Sequence, residues 1–600
     1  MSLPEPSVTA PSRDDQRAHE AVGSPETERP GGAGPERWRL TLPQDRSLLA
    51  ERAAWSLVWL GIMAGGLGLS GSWWSWPAID ILAPALVAVG LVGLVLCWCT
   101  ASPRSWLHQG LALVSALVSV AAPEIVRLHT RIYYPTDAAA LDHVAARVLV
   151  DGHNPYTTSL SSAGSLLDTA SQYWTYTVSG GHITSVSYPA GSFLVYAPAF
   201  ALGFHHEVVD WMDLYAWLAS CVLLFVLLPR FLRWLAVLVA LSGIFVGQFA
   251  GGGTDAMFVP LAMLAVWRWD RYGRGREAGV ASWLGPIALG LACSIKQTVW
   301  FCLPFLAVGI YLEIRRSGRS PWPVVGRYVA IVVAAFAAVN LPFIIWSAGA
   351  WWHGTLIPLA QPLIADGSGL VTIALHGITG GVDLTTLTYA SGLAYLATLV
   401  AFVVWYPWLK RIWLLLLPVA FFFSPRSFAS YLVDLFPVAV LAVVTVEGAT
   451  RSLRSRAWGR LRAGPLAVGA LALGTAVASA VAFTSAPLAL EVRHATVGTD
   501  HQHLKNVTVT VTNGTDSKLS PQFMVDVGQP HPAGFWTTAD DQPVVVAAHG
   551  SVTVTLFPPS PTYLPPFAAN WVVDAYTQDP RALSTSPDVW HNDISQLPKH

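Results

Sequence analysis

Charge is scarce in this chain. Asp, Glu, Lys and Arg make up 12% of its 600 residues while 53% are hydrophobic, and the formal net charge is -1. A surface built for nucleic acid shows as a basic excess, so this balance argues against such a partner. Cysteine is scarce too: Cys97, Cys99, Cys221, Cys293 and Cys302 all fall in apolar segments and none in the loops or the C-terminal region. That pattern predicts no disulfide framework. Residues 1–50 lack apolar periodicity and are rich in Pro, Gly, Glu, Arg and Ser. Such a stretch cannot bury enough surface to offset the entropy of ordering, and a disordered cytoplasmic tail is predicted. It is too long and too acidic before its first apolar run to resemble a cleavable signal peptide.

What the chain has in quantity is long apolar runs. They fall near 52–71, 79–99, 107–126, 211–228, 232–248, 255–269, 281–295, 298–312, 324–346, 388–408, 411–423, 430–446 and 465–485. Roughly 20 apolar residues in helix cross a bilayer core, so the expectation is a polytopic α-helical membrane protein with about thirteen spans. The basic clusters sit at Arg104, Arg230 with Arg233, Arg268 to Arg276, Arg315 to Arg319, Lys410 with Arg411, and Arg451 to Arg462. They occupy every second loop. The positive-inside rule then puts the N-terminus in the cytoplasm and the C-terminus outside, as in a multi-pass plasma-membrane protein.

In that orientation residues 127–210 and 347–387 are long external loops of a transmembrane domain covering 51–486. The first loop holds a short helix, Asp137 to Val150, closed by Gly152 and Asn154-Pro155. It also holds the proline-interrupted stretch 188–200, expected as a helix along the outer interface, because a full span there would invert every later basic loop. After about residue 487 the pattern changes to β-branched alternation at 507–512, 523–527, 543–546, 552–556 and 571–576, separated by Asn-Gly, Pro and Gly. Residues 487–600 read as an external β-sandwich. Asn513-Gly-Thr matches a glycosylation acceptor, but Asn-Gly is also a turn signal, and the turn is the expected role.

Carboxylates beside lipid point to use. On a helical wheel Asp137 shares a face with Leu141, Val144 and Val148, while His143, Arg147 and Asp151 share another, expected to be solvated. Asp137 or Thr136 is also a good helix cap; Asp142 lies between the faces. Lys296, one of only five lysines, and Arg426 are predicted external-side cations in apolar surroundings, where an idle charge is costly. A snorkelling Lys296 and an Arg426–Asp434 pair are the structural alternatives. Gln248, Asp255, Gln297, His353, His376 and Tyr431 are polar groups near the same side, where substrate hydroxyls would need hydrogen bonds. His353 and His376 have no metal-ligand spacing with carboxylates. Trp73, Trp74, Trp76, Tyr173, Trp174, Trp351 and Trp352 fit an interface belt, with Trp174 and Trp351 also placed to stack on a sugar.

These residues carry a resemblance. Thr136-Asp137, Ala145-Ala146, Gly152-His-Asn-Pro-Tyr156 and Tyr188-Pro-Ala-Gly191 resemble the first external loop of GT-C fold glycosyltransferases, closest to the family 87-like mannosyltransferases that use polyprenyl-phosphate mannose. Gly247 to Ala256 resembles that family's short external turn, Lys296 to Pro304 its lysine-bearing helix, and Ser424-Pro-Arg-Ser-Phe-Ala-Ser-Tyr431 a late external turn. The set covers roughly residues 100–446. Two extra N-terminal spans, a Pro-Ala where Pro-Pro is more usual, and the β-rich tail, which is similar to appended domains of some membrane arabinosyltransferases, depart from the pattern.

The resemblance implies an inverting enzyme that moves a sugar, mannose or arabinose, from a polyprenyl-phosphate donor to an extracytoplasmic glycolipid or glycan acceptor. Asp137 then matches the general base, and Lys296 and Arg426 bind the donor phosphate. Asp142, Tyr188, Gln248, Asp255, Gln297, His353, His376 and Tyr431 are substrate-contact candidates. No metal site is expected, although phosphate chemistry leaves room for a divalent cation. Two other classes fit the hydropathy: a transporter or flippase of a lipid-linked or polar solute, which needs ionisable groups near the midplane and an internal repeat, and a non-catalytic membrane protein that binds wall polymer.

Overall fold

A computed structural model describes residues 46–70, 76–99, 103–130, 133–167, 174–249, 253–274, 281–356, 361–447, 463–497, 504–526, 534–559 and 571–587. Most of the N-terminal tail, Trp73, Trp74, Tyr173 and the basic run 451–462 lie outside these residues. Each of the thirteen apolar segments contains helix. Among the described residues eight helices are long and apolar enough to cross a membrane: Leu48–Ser70, Pro77–Cys99, Trp106–Thr130, Val208–Leu227, Gln297–Arg316, Trp322–Trp346, Leu384–Val404 and Gly464–Thr484. A ninth is a pair, Arg230–Leu241 and Gly243–Phe249, bent by 59° at Ser242. The other four, Ala256–Val266, Trp283–Cys293, Trp413–Phe422 and Ala429–Thr445, are shorter. Pro260, Pro418 and Pro437 begin turns within three of these segments, where the missing N–H is harmless, and they mark where the chain enters each short helix.

The helices bury one continuous core that includes Trp55, Trp59, Trp217, Trp269 and Trp413. Ile81, Val95, Trp106, Trp322 and Ile345 stay exposed on the outside. Apolar surface of that extent is what a helix shows when its solvent is lipid. One end of the bundle gathers several of the basic loops. Glu313 accepts Lys410 Nζ at 3.1 Å, Arg274 Nη2 at 2.7 Å and the Tyr406 hydroxyl at 2.9 Å, and Glu447 pairs with Arg271 and Arg274 at 3.0 and 2.9 Å. Three of the segments expected on the cytoplasmic side, around Arg274, Glu313 and Lys410, therefore meet one another.

At the opposite end the two long loops form a second core with part of the C-terminal domain. Tyr134, Tyr156, Phe193, Tyr196, Val371, Leu384, Met524, Tyr576 and Leu583 are all buried in it. The stretch 188–200 folds as two short helices, Gly191–Leu194 and Ala197–Ala201. The expectation of a helix lying on the interface is corrected here: Phe193 and Tyr196 are fully buried, because the loops supply an apolar core of their own.

The described residues also hold nine strands: β1 Asp366–Gly367, β2 Gly381–Asp383, β3 Arg426–Ser427, β4 Leu488–Val497, β5 Leu504–Asn513, β6 Gln522–Asp526, β7 Ser551–Leu556, β8 Val572–Gln578 and β9 Arg581–Thr585. β1 and β3 pair in parallel, β4-β5-β7 form one sheet, and β2-β9-β8-β6 form another. The two larger sheets share an apolar core of Leu490, Val507, Val509, Val511, Phe523, Val573 and Ala575, so the C-terminal region is β-rich and two-layered. Residues 543–546 contribute only a bridge, Leu519 to Val546. Asn513 is buried, and its amide donates to the carbonyls of Ser517, Val546 and Ala547. Its Oδ1 accepts from Thr515 N at 2.9 Å, so Asn513 shapes a local turn, but the expected hairpin is corrected: β5 pairs with β4 and β7 and not with the strand that follows it.

β2 is the unexpected member, since it belongs to the loop between two membrane helices. Its last residue also caps the next helix: Asp383 Oδ1 accepts from Thr385 N and Thr386 N at 2.8 and 3.2 Å. Asp383→Ala is expected to lower stability by about 1 kcal/mol, the usual worth of a good N-cap, measured as thermal unfolding in detergent.

Candidate functional site

The helix Asp137–Val150 starts with a Thr136 cap whose hydroxyl accepts Ala139 N at 3.3 Å. Asp137 is therefore not needed as the cap. Its Oδ2 instead accepts Thr175 N at 2.7 Å, and the side chain is only half-buried. The wheel misplaced His143. Arg147 and Asp151 are exposed as expected, but His143 is buried, bonded through Nδ1 to the Tyr134 hydroxyl at 2.7 Å and packed on Phe200. The helix is covered on more than one side, so a single solvated face does not exist. Burial first, and then the charges of Arg147, His205 and His206, pull the His143 imidazole down to about 4.

Asp142 is buried beside it and accepts the Ser192 hydroxyl at 2.9 Å. Burial pushes its carboxyl up to about 7, opposed by Ser192 and by the nearby charge of Lys296. A carboxyl titrating near neutrality is well matched to moving protons.

Tyr188 stands where the elements meet. Gly191 makes this possible: its N–H bonds Ser294 O at 2.8 Å, and a Cβ there would lie 2.4 Å from that oxygen, so only glycine lets the loop press onto the end of the helix Ala281–Cys293. The Tyr188 carbonyl accepts the Tyr156 hydroxyl at 2.9 Å, while Gln297 Nε2 bonds the adjacent Ser187 carbonyl at 2.9 Å and Thr355 O at 3.2 Å. Asn340 Oδ1 ties Ala190 N to Trp351 Nε1, both at 3.0 Å. Trp351 is thus engaged by a side chain, and Trp174 packs on His182. The Tyr188 phenol is pushed up by burial, against the pull of Lys296, and also feels Asp255, Asp137 and Asp142.

Lys296 follows directly from this contact. Its Nζ pairs with Asp255 Oδ1 at 2.8 Å, reaches Thr254 Oγ1 at 3.5 Å and lies 4.2 Å from the centre of the Tyr188 ring. It is 4% exposed, too deep to snorkel. Thr254 has φ +53°, a left-handed conformation that a β-branched residue adopts only under constraint. Asp434 faces Asp255 rather than Arg426. Tyr431 lies within electrostatic reach of both Lys296 and Arg426. Gln248 is half-exposed, and its carbonyl abuts Gly253, two residues before Asp255.

Arg426 is delivered by β3. Its partner β1 continues the segment Leu363–Gly367, whose Ile364 N bonds Tyr176 O at 3.1 Å and whose Asp366 N bonds Pro425 O at 3.1 Å. The guanidinium lies over Phe428 at 4.8 Å and reaches Thr175 Oγ1 at 3.4 Å. Thr175 therefore links Arg426 to Asp137, with its amide on one and its hydroxyl on the other. No carboxylate among the described residues pairs with Arg426.

The cluster thus assembles Asp137, Asp142, Tyr188, Asp255, Lys296, Arg426 and Tyr431, held from behind by Gln297. His353 and His376 are exposed on the helix Ala348–Thr355 and after Thr372–Leu375, and take no part in these contacts. Sequence reasoning missed Thr175, Ser192, Thr254 and Asn340 as members. Of these only Thr254 carried a sequence signal, the run of three glycines before it. Among the described residues no group of three or more His, Cys, Asp or Glu side chains could hold a metal ion. The arrangement offers a half-exposed carboxylate fixed by a backbone amide, a second carboxyl titrating near 7, and an arginine without a carboxylate partner among the described residues. No family model, curated protein or solved structure matches the chain.

Two measurements probe this electrostatic design. Lys296→Met leaves Asp255 and Asp434 side by side without their cation, and is expected to destabilise the fold by about 3–5 kcal/mol, with part recovered in Lys296→Met/Asp255→Asn. For Asp142 the folded protein binds a proton that the unfolded chain releases near pH 4, so its contribution to stability is fully present below that pH and lost as pH rises through about 7. Difference infrared spectra against Asp142→Asn should show its carboxylic C=O band disappearing near that pH; a band already absent at pH 5 would refute the assignment.

Proposed function

We propose that the protein is a GT-C-type glycosyltransferase of thirteen spans in the plasma membrane, with the N-terminus cytoplasmic and the loop face and β-rich domain outside. It transfers a sugar, mannose or arabinose, from a polyprenyl-phosphate donor to a glycolipid or glycan acceptor. The observation that carries this reading is the convergence of Asp137, Lys296 and Arg426, far apart in the chain, around Tyr188 and Tyr431 on the loop face. Those three are the residues that the resemblance assigns to the reaction.

The chemistry follows from the charges. An acceptor hydroxyl gives its proton to Asp137 while its oxygen attacks the anomeric carbon from the side opposite the donor phosphate. The bond between that carbon and the phosphate oxygen breaks, and the configuration inverts. The polyprenyl phosphate leaves as an anion and needs no proton, so one base suffices, unlike the two-carboxylate arrangement of glycoside hydrolysis. Arg426, which has no described carboxylate partner, is the primary phosphate contact. Lys296, held by Asp255, contributes its field from a deeper position. Asp142 stands behind as a proton acceptor poised near neutrality.

The transport reading draws less support. The buried acids Asp210 and Asp213 occupy the first turns of Val208–Leu227, and Glu313 the last turns of Cys302–Arg316, so the ionisable groups sit at helix ends and not midway along them. Asp137→Asn keeps the shape and removes the base. Purified in lipid and offered a panel of polyprenyl-phosphate sugars, it should lose at least about a hundredfold in transfer rate, and Arg426→Gln should raise the donor KM. Normal transfer by folded Asp137→Asn would remove it from the mechanism.

A further inference from the structure

The C-terminal domain reaches the site directly. β2, from the loop between two membrane helices, pairs antiparallel with β9 from Gly381↔Ser584 to Asp383↔Ala582, and a Cβ on Gly381 would lie 2.3 Å from Leu583 O. The sheet of β2, β9, β8 and β6 then turns one face onto the loops, where Met524, Tyr576 and Leu583 enter the second core and Phe535 packs on Tyr176 with ring centres 5.3 Å apart. From this face two side chains grip the segment that precedes and forms β1. Arg581 Nη2 donates to Leu363 O at 3.2 Å, and the fully buried Tyr576 hydroxyl donates to Ala365 O at 3.4 Å. On its other side the same segment bonds Tyr176 and Pro425 and pairs with Arg426 and Ser427. Tyr576 is close enough to Asp366 and Arg426 to feel both charges.

We propose that the C-terminal sheet is a working wall of the site, in which Tyr576 and Arg581 are positioning residues that hold Leu363–Gly367, and through it Arg426, in register with Asp137 for the donor phosphate. This rests on the transferase reading above for its substrate. The physical logic is that no carboxylate among the described residues pairs with Arg426, so its place depends on its backbone, and that backbone is a two-residue strand with a partner held from outside. A two-residue pairing is too short to persist alone; two additional hydrogen bonds and a buried ring make it a fixed feature.

The test uses the full chain in lipid nanodiscs, with Tyr576→Phe, Arg581→Gln, the two combined, and Arg581→Lys. Amide exchange at Ile364, Asp366 and Ser368, whose N–H groups bond Tyr176, Pro425 and Ser427, should quicken about tenfold in the combined variant. The donor KM should rise by about tenfold with kcat within about twofold, and Arg581→Lys should recover part of the loss. Unchanged exchange overturns the proposal, as does faster exchange with an unchanged donor KM, which would mean that the sheet braces the loops and nothing more. A wild-type protein that transfers no sugar from any polyprenyl phosphate overturns the transferase reading instead; the exchange rates then still decide whether these two side chains hold the segment.

Discussion

Backbone pairing along Leu363–Gly367 is the constraint on which the loop face depends. The segment bonds Tyr176 on one edge, Pro425 and Ser427 on another, and receives Tyr576 and Arg581 from the C-terminal sheet. Removing any of these partners would strand a buried peptide group, which costs more than the bond itself returns. Through Thr175, one residue before Tyr176, the same segment fixes the amide that orients Asp137. Asp137 and Arg426, far apart in the sequence, are thereby referenced to one strip of backbone.

The second organising force is the cost of placing charge beside lipid. The protein meets it differently at its two ends. At the basic end, Glu313 and Glu447 spread over Arg271, Arg274 and Lys410 in a network with several donors. At the loop end the acids are buried more deeply and outnumber the bases around them, with Asp142, Asp255 and Asp434 sharing the field of Lys296. A surplus of buried acid is poor design for stability alone. It is a sound way to keep one carboxyl ready to take up a proton near neutral pH.

Apolar periodicity and turn chemistry made much of this architecture readable. Thirteen helical segments, the change to β structure after residue 487, and the helix Asp137–Val150 all follow from local patterns, and the quoted motifs held most residues of the cluster. His143 was misread because a helical wheel assumes one covered face, whereas this helix lies inside a loop core. Residues 188–200 were misread for the same reason, since their apolar character serves that core and not a lipid boundary. Tyr576, Arg581 and β2 could not be found from the sequence at all. A strand of three residues, Gly381 to Asp383, carries no local signal, and its partner β9 is separated from it by about two hundred residues of helix and sheet. Long-range pairing is the information that composition and periodicity do not hold.

That separation has a consequence for assembly. During synthesis β2 leaves the ribosome long before β9 exists, and pairing across so long an intervening chain is slow to form. The membrane helices have to be inserted, and the other strands of the C-terminal domain laid down, before the last strand can clasp the loop that holds β1. A chain that stops before β8 and β9 would keep its long apolar helices, but the segment Leu363–Gly367 would lose the bonds from Tyr576 and Arg581 and be left with those to Tyr176, Pro425 and Ser427.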